Sequence, residues 1–227
     1  MFNFKKKDSM FHKIIIAALV VCPALISCGN KGNDKEKAAT AIAAANGVNE
    51  FSSIRTLEFT FNVDRDTAHS ERHWRWEPTA NTVTFFDKAD SITFKRMDTS
   101  TAQLRKLNAQ FTNDEYWLIF PLHLQWDMGY TFTDNNMAKG PVTEKDYHKY
   151  TVQYNNKDGF TPGDMYELYT DDQHRIQEWA FHKTGAKEPT LMTTWENYED
   201  VHGLKIATEH KSKDGKFRLY FTGVSAQ

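Results

Sequence analysis

The chain has 227 residues, with 28 lysines and arginines against 30 aspartates and glutamates and a formal charge of −2. That balance argues against general nucleic-acid binding, which calls for a basic surface, and the length suits one domain of ordinary size behind an N-terminal segment. Aromatic residues make up 14% of the sequence, enough for a sizeable β-rich core or an aromatic-lined pocket.

Lys5, Lys6, Lys7 and Lys13 precede the apolar run Ile14–Val21, the charged and apolar regions of a secretory signal. The run is shorter than the roughly 20 apolar residues of a spanning helix. It leads into Leu25-Ile26-Ser27-Cys28, which resembles the lipobox of bacterial lipoproteins, where the cysteine is acylated and becomes the mature N-terminus. The resemblance implies a signal peptide over residues 1–27 and lipidation at Cys28. Cys22 lies inside the signal and leaves with it, so Cys28 remains as a lone cysteine with no intrachain disulfide open to it. Loss of four lysines and Asp8 takes the formal charge from −2 to −5. Gly29, and no aspartate, follows Cys28; this favours an outer-membrane destination over inner-membrane retention. Periplasmic and surface-facing orientations both stay open.

Residues 28–37 are polar and glycine-containing, without apolar periodicity, and are expected to form a flexible tether. Ala38–Ala45 is alanine-rich and predicts a short helix stopped by Asn46-Gly47. From Ile54 the pattern turns to period two. Leu57, Phe59, Phe61 and Val63 alternate with polar residues, and Arg72, Trp74 and Trp76 share one face of the next strand. Thr82–Phe86 and Ser91–Arg96 predict a hairpin about Asp87-Lys88-Ala89-Asp90. Asp98-Thr99-Ser100-Thr101 offers N-cap residues, and Leu104, Leu107 and Phe111 follow at helical spacing, giving an expected helix over Thr101–Ala109. Glu115–Trp126 is the most apolar stretch outside the signal. Pro121 argues there against one straight, uninterrupted helix, so a kinked or partly helical segment is expected.

The C-terminal half reads as consecutive strands over Tyr147–Tyr154, Met165–Thr170, Arg175–His182, Leu191–Tyr198, Leu204–Lys211 and Phe217–Val224, separated by turn signals such as Asp158-Gly159, Asp171-Asp172 and Asp214-Gly215. Short connections between them imply an antiparallel meander. The expected fold is therefore mainly antiparallel β with helices (α+β). It would be a strongly curved sheet or open β-barrel of about ten strands with a central helical insertion, in a single domain over residues 38–227. This order of elements resembles the fold of LolA-like lipoprotein carriers, which implies a curved sheet and helices enclosing an apolar cavity. A second resemblance is carried by Trp74-Arg75-Trp76-Glu77-Pro78, Asn113-Asp114-Glu115-Tyr116-Trp117-Leu118, Tyr166-Glu167-Leu168-Tyr169, Glu178-Trp179 and Gly203-Leu204-Lys205-Ile206-Ala207-Thr208. These phrases are similar to those of a family of bacterial envelope lipoproteins that brings no established activity, so no functional residue carries over from it.

The candidate ligand-binding set is Trp74, Trp76, Trp117, Phe120, Leu122 and Trp126. These residues form either an apolar pocket beneath the curved sheet or a closed core. His69, Glu71 and His73 alternate on one strand face and could in principle ligate a metal. Arg75 adjoins them and no matched fourth ligand follows, so they read as a solvated polar face and no metal site is expected. Asp171-Asp172-Gln173-His174 and Asp64-Arg65-Asp66 read as turns. Glu178, His182, Glu196, Glu209 and His210 would support hydrolysis only if strand closure made them converge. No nucleophile elbow, P-loop or dinucleotide-binding glycine pattern occurs. The sequence thus points to a non-enzymatic protein without a cofactor. Its expected partners are a membrane through the N-terminal lipid, a lipid or other hydrophobic ligand, and an envelope protein; a structural or interaction module and an envelope glycan or lipid hydrolase are the alternatives.

Overall fold

The structure, a computed structural model, describes residues 31–88, 90–155 and 161–227. The expected signal peptide, Cys28 and the Asp158-Gly159 turn lie outside the described residues. Twelve strands and two α-helices follow in the order α1 (Lys31–Ala45), a 3-10 turn (Phe51–Ser53), β1 (Leu57–Arg65), β2 (Ala68–Glu77), β3 (Thr82–Asp87), β4 (Asp90–Lys95), α2 (Ala102–Trp126), β5 (Tyr130–Lys139), β6 (Asp146–Tyr154), β7 (Met165–Thr170), β8 (Ile176–His182), β9 (Leu191–Thr194), β10 (Glu196–Val201), β11 (Leu204–Lys211) and β12 (Phe217–Ala226). All strand pairings are antiparallel.

Among the described residues the strands form two sheets and no closed barrel: a seven-stranded sheet ordered β10-β11-β12-β1-β2-β3-β4 and a five-stranded meander β5 to β9. The number of strands exceeds the expected ten for two reasons. The predicted strand Leu191–Tyr198 is two strands, because the chain leaves the second sheet at Thr194 and enters the first at Glu196. Trp195, at the crossing, is buried and its backbone N–H donates to Gln177 O at 2.7 Å. Strand β5 alternates only over Tyr130–Thr133 before the polar run Asp134-Asn135-Asn136, and was not expected. It is an edge strand, largely exposed, with a register shift between Asp134 and Met137 and a left-handed Asn136 (φ 62°). Such edges are held by backbone pairing more than by side-chain burial.

Both helices begin or run differently from the expectation. α1 starts at Lys31 instead of Ala38, so part of the expected tether is helical. α2 does not stop at Ala109 but continues to Trp126. Thr101 caps it, its hydroxyl accepting from Leu104 N at 3.1 Å. The expected interruption is at Ile119, whose φ −135° and ψ 27° are non-helical. Pro121 lacks the N–H that would bond the Trp117 carbonyl, and its ring crowds that carbonyl, so the helix breaks between the two. The inner faces of both sheets pack on α2. Phe111 meets Trp74 and Trp76 at ring-centroid distances of 5.5 and 5.7 Å, while Phe120 meets Tyr166 and Trp179 at 4.7 and 5.5 Å. Ile42 and Ala43 of α1 are fully buried in the same core.

Candidate functional site

A cavity of about 480 Å³ lies between the first half of α2 and the five-stranded sheet. Tyr116 and Trp117 supply its helix wall, and Tyr166, Trp179 and Phe181 its sheet wall. The sheet wall follows from strand alternation: Tyr166 faces Phe181 and Leu168 faces Trp179 across the β7–β8 ladder, so alternate residues of both strands point inward. The kink at Ile119 lies two residues after Trp117, and Trp117 meets Trp179 edge-on with ring centroids 4.4 Å apart. The rim is more polar, with Met97, Thr99, Arg105, Asn113, Thr161 and Asp164. Buried Asn108 holds part of that rim in place: its side chain donates to Asp98 O at 2.5 Å and accepts from Met97 N at 2.8 Å.

Behind the helix wall runs a buried chain of charges. The Arg96 guanidinium donates to Glu115 Oε2 at 2.6 Å. Glu115 Oε1 lies 3.2 Å from His123 Nε2, and His123 Nδ1 lies 3.0 Å from Asp127 Oδ1. Asp127 Oδ2 accepts from the hydroxyls of Tyr116 and Tyr154 at 2.5 and 2.7 Å. Burial alone would lower the His123 pKa, but the charges and hydrogen bonds of Glu115 and Asp127 outweigh it and raise the value to about 9. Burial opposes the ionised Asp127, yet His123 and the two tyrosines hold its carboxyl below the usual range. Burial and the neighbouring Asp127 raise the Tyr116 hydroxyl well above the tyrosine range. Tyr116, which also stacks on His123 at 4.0 Å, is therefore a neutral donor that joins the cavity wall to this network.

The six expected binding residues do not gather around one space. Trp117 lines the cavity. Trp74 and Trp76 pack on Phe111 in the core against the seven-stranded sheet. Phe120 and Leu122 are buried beyond the kink. Trp126 lies against Phe51 and His123, at 4.5 and 5.5 Å. The residues that sequence reasoning missed are Tyr116, Tyr166, Trp179 and Phe181. The inward alternation of β7 and β8 was the available signal for the last three.

The groups weighed for catalysis are dispersed into structural roles. Glu178 is buried and accepts from the backbone N–H groups of Val142 and Thr143 at 2.7 and 3.0 Å, and from the Thr143 hydroxyl. Glu209 accepts from Arg218 and Asn197 at 2.6 and 2.7 Å. Glu196 lies 3.4 Å from Lys211. His182 approaches Glu167 at 3.8 Å. His210 is fully buried among Trp117, Trp195 and Phe221, where desolvation lowers its pKa to about 3. None of these five lines the cavity; among the described residues that do, Asp164 is the single carboxylate and no histidine is present. His69 pairs with Asp64 at 2.7 Å and His73 with Glu58 at 2.9 Å, on a solvated strand face. No cluster of three potential metal ligands occurs among the described residues. Asp171 closes the expected turn by accepting from Gln173 N and Arg175 N at 2.9 and 3.0 Å.

No protein-family model matches the chain, and no curated protein matches it. Solved structures do resemble it. A DUF1329 family protein from Desulfovibrio piger is similar with a TM-score of 0.47 at 7% identity, over 85% of this chain and 93% of that one. A domain from Vibrio parahaemolyticus named for outer membrane lipoprotein sorting gives 0.48 at 11% identity, over 86% and 93%. A LolA superfamily protein from Nitrosomonas europaea gives 0.42 at 12% identity, over 83% and 93%.

Proposed function

We propose that this chain is a lipid-anchored protein of the bacterial envelope, in the outer membrane. Its role is to bind, shield or transfer an acyl chain or similar hydrophobic ligand, without catalysis. The cavity beneath α2 carries the reading. At about 480 Å³ it falls within the range of small-molecule sites, with five aromatic walls and a polar rim. A core packed for stability alone fills such space. Apolar burial against Trp117, Trp179 and Phe181 would supply affinity, and Thr99, Asn113 and Asp164 at the rim would meet the polar end. Among the described residues the cavity lining offers one carboxylate and no histidine, which supports binding over hydrolysis.

The anchor is the Cys28 reading. Among the described residues no helix is long and apolar enough to cross a membrane. Cys28→Ala is expected to abolish fatty-acid labelling and release the protein to the soluble fraction; retained labelling would reject the site. The ligand is tested by native mass spectrometry and lipid extraction of the purified protein. A copurifying acyl-bearing molecule is expected. Its absence, together with no saturable binding of fluorescent acyl probes across several lipid classes, would reject the reading in favour of a structural or interaction module.

A further inference from the structure

A second cavity, of about 410 Å³, shares Phe181 with the first. Phe181 is half-buried and sits between Tyr166, at a ring-centroid distance of 5.3 Å, and its cross-strand neighbour Leu191. The two spaces also adjoin through a ring contact: Trp117 of the first lies 6.3 Å from Phe217 of the second. Phe181 and this pair are thus the partition between them.

The two rims differ in charge. Arg105 and Asp164 balance at the first. At the second, Arg65 and Lys216 face one carboxylate, Asp214. Asp214 Oδ1 accepts from the Ser212 hydroxyl at 2.7 Å and from Lys216 N at 3.1 Å, and the two cations against this one carboxylate leave the mouth net positive. The two cations are held close together by the backbone, since Asp66 N donates to Lys216 O at 2.9 Å and thereby ties the β1–β2 turn to the β11–β12 turn. The Arg65 guanidinium lies over the Phe217 ring at 5.4 Å, and Arg65 is exposed.

We propose that the two cavities are one through-going site for an anionic single-chain amphiphile. The carboxylate or phosphate end sits at Arg65 and Lys216, and the tail passes Phe181 to reach Trp117 and Trp179. The inference rests on the hydrophobic-ligand reading above. Three features fit this ligand. Guanidinium and ammonium donors at a mouth match a carboxylate or phosphate oxygen set. Aromatic walls match an alkyl chain. The partition is made of side chains, so a change of the Phe181 rotamer would open it without breaking the strand ladder.

Displacement of a bound fluorescent fatty acid from the purified, lipid-stripped protein tests this, with hexadecanoate, hexadecyl phosphate, hexadecanol, octanoate and inorganic phosphate as competitors. Hexadecanoate and hexadecyl phosphate are expected to compete better than hexadecanol by about fivefold, the size of a solvent-screened charge contact. The double variant Arg65→Glu/Lys216→Glu, both positions exposed, should erase that preference. Phe181→Trp should weaken hexadecanoate more than octanoate, whose tail ends in the second cavity and does not have to pass the ring. Should Phe181→Trp melt early, Phe181→Leu is expected to favour hexadecanoate over octanoate. An unchanged anion preference in the charge-reversed variant overturns the head-group assignment. Equal effects on both chain lengths, or inorganic phosphate competing as well as hexadecyl phosphate, overturn the through-going tail. Saturable binding without these patterns sinks this inference alone; no saturable binding by the parent sinks the hydrophobic-ligand reading with it.

Discussion

Arg72 and Asp114 form a two-point ion pair that fastens β2 to α2, with guanidinium Nε and Nη2 at 2.6 and 2.5 Å from the two carboxylate oxygens. Trp74 Nε1 adds a third donor at 2.8 Å, and Asp114 is fully buried. Removing Arg72 strips Asp114 of its counter-ion at a place where burial already raises the carboxyl pKa, so the acid must either stay charged without its partner or take up a proton. Arg72→Ala is therefore expected to destabilise the protein by about 3–5 kcal/mol in urea unfolding. Asp114→Asn, which keeps the shape and removes the charge, should cost less. Similar losses from the two variants would mean that the pair matters only through packing.

Two histidines set the expected pH dependence from opposite sides. His123 has a folded pKa of about 9, above its ordinary 6.5. Its contribution is fully present below about 6.5 and is lost as pH rises through 9, since the folded state then gives up a proton that the unfolded state has already released. His210 has a folded pKa of about 3. Its unfolded form gains a proton below about 6.5 and its folded form does not, so stability falls as pH drops from 6.5 toward 3. The melting temperature is expected to peak near pH 6.5. His123→Gln should flatten the alkaline limb and His210→Phe the acid limb; limbs that persist in both variants would assign the dependence elsewhere.

Gly140 is required by a close approach and not by its backbone angle. A Cβ there would lie 2.7 Å from the Glu178 carboxyl carbon and both of its oxygens. That side chain cannot swing away cheaply, because three donors of the 142–143 segment hold it. Gly140→Ala is expected to cost about 1–3 kcal/mol, the range for overpacking. In a Glu178→Ala background the added penalty should vanish. A full penalty in that background would point to backbone strain.

Trp117 and Trp126 belong to the same helix and to different sites. Trp117→Ala should weaken capture of a fluorescent acyl probe severalfold, because it removes a cavity wall of up to a few kcal/mol in apolar burial. Trp126→Ala, which loses contacts with Phe51 and His123, is expected to lower the melting temperature and leave the dissociation constant of the folded fraction unchanged. Equal losses of affinity would show that the whole helix is felt at the cavity.

Where one face of a strand meets the core and the other meets water, the sequence was legible. Leu57, Phe59 and Phe61 are buried as their alternation requires, and β7 and β11 have the expected limits. Legibility failed where long-range partners override local pattern. Asp114 and Glu115 look like the polar end of a helix, yet they lie inside one, because Arg72 and Arg96 compensate them. The turn at Asp214-Gly215 does join β11 to β12, with Gly215 at φ 70°. Within it Asp214 accepts from the Ser212 hydroxyl and from Lys216 N.

The candidate site was half legible for a similar reason. Trp117 stands in the most apolar stretch of the chain, but its partners Tyr166, Trp179 and Phe181 come from strands far along the sequence. Hydrophobicity marks the members of such a set. The pairing of β7 with β8 decides which of them meet.

The pairing of β1 with β12 carries a consequence for how the molecule comes to be assembled. Leu57 lies opposite Ala226, and Phe61 opposite Phe221. The five-stranded sheet is a chain of sequence neighbours that can zip together as each strand is made. The seven-stranded sheet waits for its last strand, and closing so long a loop is slow. Until then β1 offers an open edge, of the kind that invites association with another chain. The interval between emergence of β1 and arrival of β12 is when a chaperone would be of most use to this protein.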